Sequence, residues 1–88
     1  MLLKINLLSL LGGISLNANK NINLLSKYNG SGVNIVSDGG IYEHILIESK
    51  QGTSNSAINI QALMGGINIS AATHLSFNMG SGAQLLTS

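Results

Sequence analysis

Short runs in which every second residue is apolar recur along this chain, and they constrain it more than any other feature. In order they read Ile14-x-Leu16-x-Ala18, Ile22-x-Leu24, Val33-x-Ile35, Ile45-x-Ile47, Ile58-x-Ile60-x-Ala62, Ile67-x-Ile69-x-Ala71, Leu75-x-Phe77-x-Met79 and Ala83-x-Leu85. Successive side chains of an extended chain point to opposite sides, so a period of two makes one apolar face. A helix would need apolar residues at i, i+3 and i+4. The stretch "INIQALMGGINIS", residues 58–70, does not offer that spacing, and its Gly-Gly pair would break a helix. Asn and Ser fill most of the alternate positions, so the second face is polar but uncharged.

The runs are punctuated by a repeat. Gly-Gly-Ile opens at Gly12, Gly39 and Gly65, and "GSG" occurs at Gly30–Gly32 and again at Gly80–Gly82. The chain therefore reads as a single β-repeat domain over residues 1–88, with units at 12–38, 39–64 and 65–88 and a leading partial unit at 1–11. Three alternating runs per unit, separated by glycine corners, predict an all-β fold. One form is a parallel β-solenoid of about three 26-residue coils, with equivalent strands about 4.8 Å apart. The other is a flat cross-β layer, and both stack into a filament. Low charge, strong β propensity and the absence of Pro suit either form; the internal repeat favours the solenoid.

The expected assembly core is Ile14, Leu16, Ile22, Leu24, Val33, Ile35, Ile45, Ile47, Ile58, Ile60, Ile67, Ile69, Leu75 and Phe77. Asn17, Asn34, Asn59 and Asn68 are placed to stack as polar amide ladders. Glycine is expected to supply positive φ at the corners.

Composition excludes several functions. Only 8% of residues are charged, net charge is +1, and there is no Arg. Nucleic-acid binding needs clustered cations, so no nucleic-acid partner is expected. Aromatics are 3% of the chain, too few for stacking platforms. With 44% hydrophobic residues and few charges, the chain has material for a core and little to keep copies apart. Neither end of the repeat tract is Pro-blocked or strongly charged, so open edges invite further copies. The expected partner is therefore the chain itself, in open-ended stacking.

No catalytic constellation is present, and no enzyme, metal or cofactor is expected. His44 and His74 are the ordinary metal or general-base candidates, but three scattered acids and no Cys do not complete a zinc site. Asp38-Gly39-Gly40 carries the only Asp of the chain, which rules against a calcium-binding roll. Lys20, Lys27, Glu48 and Lys50 read as solvated corners. Asn29-Gly30 reads as a tight turn. Asn29-Gly-Ser31 and Asn68-Ile-Ser70 match the glycosylation acceptor pattern, with Asn29 the better placed. Thr53, Thr73 and Thr87 do not line up as the flat array of an ice-binding face.

The opening "MLLKINLLSLLGG" is too short to span a bilayer. Residues 1–18 have the outline of a signal peptide, one Lys and then an apolar run, but Leu16 stands where a small residue is wanted. Their register with the repeats is the better account.

The tract "SNSAINIQALMGGINISAATHLSFNMGSGAQLLTS" resembles the Gly-Gly-Ile β-solenoid repeat tracts of phage and giant-virus fibre and structural proteins. The likeness covers most of Gly12–Ser88 and departs in carrying Asn where those tracts often carry Asp. It implies an extracellular or virion-associated role and carries over no active site. Two functions are expected to compete. The first is a structural self-assembling β-filament, amyloid-like or solenoid, whose function is the polymer. The second is a trimeric β-helical tail-fibre segment that binds a host surface.

Overall fold

A computed structural model of the chain describes residues 3–80. It divides into two units, Met1–Ile45 and Leu46–Ser88, a boundary that falls inside the second sequence repeat. The run Ala83-x-Leu85 lies outside the described residues.

The expected solenoid or cross-β layer is absent. The described residues form neither helix nor strand. Among the described residues of each unit, those twelve or more apart never bring their Cα atoms within 8 Å of each other. A solenoid of 26-residue coils would require that approach at every rung, because paired strands lie about 4.8 Å apart. Alternation gives a segment its apolar side, but the ladder needs a second segment alongside. Neither unit supplies one.

What remains is a series of unbent segments joined by local bends. In the first unit, bends fall at residues 10–12, 19–20, 28–30 and 39–42. In the second they fall at 50–51, 54–58, 63–65 and 72–73. The Gly-Gly pairs at 12, 39 and 65 all sit at or beside bends, yet none returns its unit upon itself. Positive φ, expected at the glycine corners generally, occurs among the described residues only at Gly30 (83°) and Gly40 (144°).

The Tyr28–Ser31 turn shows why no hairpin forms. The Ser31 N–H donates to the Tyr28 carbonyl at 3.1 Å. Asn-Gly in a type I′ hairpin turn requires φ above zero at both central residues. Gly30 meets that requirement and Asn29 does not. One positive φ at the third position is the pattern of a type II turn, which splays the flanking segments instead of pairing them. Gly30→Ala would place a Cβ in the left-handed region at a cost of about 1–2 kcal/mol. The expected result is about tenfold faster exchange of the Ser31 amide, read by hydrogen exchange.

Two other bends are locally built. In the first unit, Glu43 Oε2 accepts from the Gly39 N–H and, at 3.2 Å, from the Gly40 N–H. Its own N–H reaches the Gly40 carbonyl at 3.4 Å. In the second unit, the Ala57 N–H donates to the Ser54 carbonyl at 3.2 Å. That bend is tight: a Cβ on Gly52 would stand 2.8 Å from Ser49 Oγ and 3.0 Å from the Ala57 Cβ. All three bends close over a few residues and bury nothing.

Candidate functional site

No described residue is buried, and Ser37 alone is half-buried. The candidate site is therefore an exposed surface, made of the alternating apolar rows. In the first unit the rows are Ile14 and Leu16, Ile22 and Leu24, and Val33 and Ile35, followed by Ile45 at the unit's end. The second unit carries Ile47, then Ile58 and Ile60, Ile67 and Ile69, and Leu75 and Phe77. The members of each pair are two residues apart; most pairs follow a bend, while Ile58 is the last residue of the 54–58 bend.

Their exposure separates them from the other large apolar residues. The fourteen row residues expose 49–69% of their surface, whereas all others apart from Met79 expose 70–101%. Met79, at 50%, extends the Leu75 and Phe77 row. The alternation could have placed it there, since Leu75-x-Phe77-x-Met79 is one unbroken run.

Asn17, Asn34, Asn59 and Asn68 lie on alternate positions beside these rows and are exposed. None bonds to another, and both side-chain hydrogen bonds found among the described residues go to Glu43 Oε2. Charge is unevenly spread: after Lys50 the sequence has no Asp, Glu, Lys or Arg. Glu48 and Lys50 approach to 4.0 Å with both side chains substantially exposed, so that pair stabilises little.

Nothing among the described residues gathers for chemistry. Among the described residues no group of three or more His, Asp and Glu converges on a point, and no pocket is found. No helix among the described residues is long and apolar enough to cross a membrane.

No family model matches the chain, and neither a curated protein nor a solved structure does.

Proposed function

We propose that this chain is a structural protein whose function is carried by an assembly of its own copies. The supporting observation is area. One copy exposes 10039 Å². A folded monomer of 9.1 kDa exposes about 4,900 Å², so this chain leaves about 5,100 Å² more in water than a folded monomer of its size. Obligate homo-oligomers bury interfaces of about 2,000–5,000 Å². The surplus is large enough to hold an entire core in shared form.

Disorder is the competing explanation for so much exposure, and composition opposes it. Disordered chains combine low hydrophobicity with high net charge; this one is 44% hydrophobic with a net charge of +1. Copies are the partner that suits the surface, because each brings the same rows at the same spacing. Pairing between copies would also satisfy the backbone groups that no neighbour within a unit can reach.

The assembly takes one of two forms. In the first it is an open-ended filament. In the second it is a closed trimeric fibre segment, extracellular or virion-borne, that presents its corners to a host surface.

Sedimentation equilibrium across a wide concentration range tests the proposal. A fixed mass of three copies supports the fibre segment, and a size distribution growing with concentration supports the filament. A single monomeric species at the highest concentrations would overturn both.

A further inference from the structure

We propose that Asn29 is a site of spontaneous covalent modification, converting to aspartate and isoaspartate through attack by its own backbone. Asn29 is the only Asn in the chain followed by Gly. The attacking group is the Gly30 nitrogen, and four observations favour it. Both residues are exposed, so water or hydroxide can take the amide proton. The Gly30 N–H donates to no backbone acceptor among the described residues, whereas the next amide, Ser31, is engaged with Tyr28. No heavy atom outside the neighbouring residues lies within 4 Å of where a Gly30 Cβ would stand. Finally, Gly30 already sits at φ 83°, and glycine passes between backbone conformations without steric cost.

The step balances without an added oxidant or reductant. The deprotonated Gly30 nitrogen attacks Asn29 Cγ and forms a C–N bond. The Cγ–Nδ2 bond breaks, and Nδ2 departs as ammonia, leaving a cyclic imide. Water then adds to one of the two ring carbonyls. Opening at the side-chain carbonyl gives aspartate. Opening at the backbone carbonyl gives isoaspartate, whose main chain runs through the former side chain. Elsewhere in the chain a side chain on the following residue shields the nitrogen, as Ile35 does after Asn34.

The conversion changes what the turn carries. A new carboxylate two residues from Lys27 takes the net charge from +1 to zero, which further weakens repulsion between copies. Isoaspartate also adds one carbon to the main chain between the Ile22 and Leu24 row and the Val33 and Ile35 row. That second consequence matters only where the proposed assembly exists; the chemistry itself does not depend on it.

The test is incubation of the purified full-length chain at mildly alkaline pH, followed by denaturation, cleavage after lysine and mass spectrometry of the Tyr28–Lys50 fragment. This fragment contains both Asn29 and Asn34. The expected result is exchange of NH2 for OH at Asn29 about tenfold or more faster than at Asn34, slowed about tenfold by Gly30→Ala. A mixture of aspartyl and isoaspartyl products, separated by chromatography, identifies the imide route. Equal rates at the two asparagines, no conversion at Asn29, or no effect of Gly30→Ala would overturn the proposal.

Discussion

A chain carrying Ile67→Lys is expected to remain monomeric at concentrations where the unaltered chain assembles. Ile67 begins the row it shares with Ile69 and is about half exposed in a single copy. That exposed surface is what another copy would cover. A lysine there is buried without a partner once per copy, and the effective penalty is several kcal/mol per ion. Each 1.4 kcal/mol is a factor of ten in affinity. Loss of association by about a thousandfold or more is therefore expected. Ser70→Lys is the matched control. Ser70 lies on the opposite side of the same segment, so its lysine stays in water. Light scattering of both variants against the parent measures the difference. Assembly by Ile67→Lys at parental concentration would remove this row from the shared surface.

Backbone order is expected to appear and vanish with concentration. At high dilution, circular dichroism should report a chain without helix or sheet, as the single copy shows. In the proposed assembly the second strand of every ladder would come from another copy, so a β signal should grow in step with mass as concentration rises. Binding that requires the ordered state makes stability a function of protomer concentration. The midpoint of thermal loss should rise as the chain is concentrated. A concentration-independent β signal would place the ladders inside one molecule instead.

How much of this was legible in the residues differs from element to element. The period of two marks rows at Ile14, Leu16, Ile67 and Ile69 because alternation is local, and in a single copy these residues are exposed. The bends near Gly12, Gly39 and Gly65 were equally local. What alternation does not encode is the identity of the neighbour. Gly-Gly-Ile repeats at near-even spacing suggested that each unit stacks on the previous one, yet the same rows satisfy a ladder whose next rung is another copy. The decisive detail was conformational: Asn29-Gly30 has the composition of a hairpin turn, but φ is positive only at Gly30. Expecting positive φ at every glycine corner overlooked that a bend of moderate angle can be made in ordinary backbone. Which residues the rows contain was a matter of pattern; whether one copy could close them into a core depended on turn angles that composition leaves open.

The absence of any buried residue among those described bears on the life of a newly made copy. No residue among 3–80 is buried, so this stretch is open to water and to any protease that meets it. The described residues of a solitary copy offer no interior to shelter them, so in the proposed assembly joining other copies would be the chain's protection from cleavage.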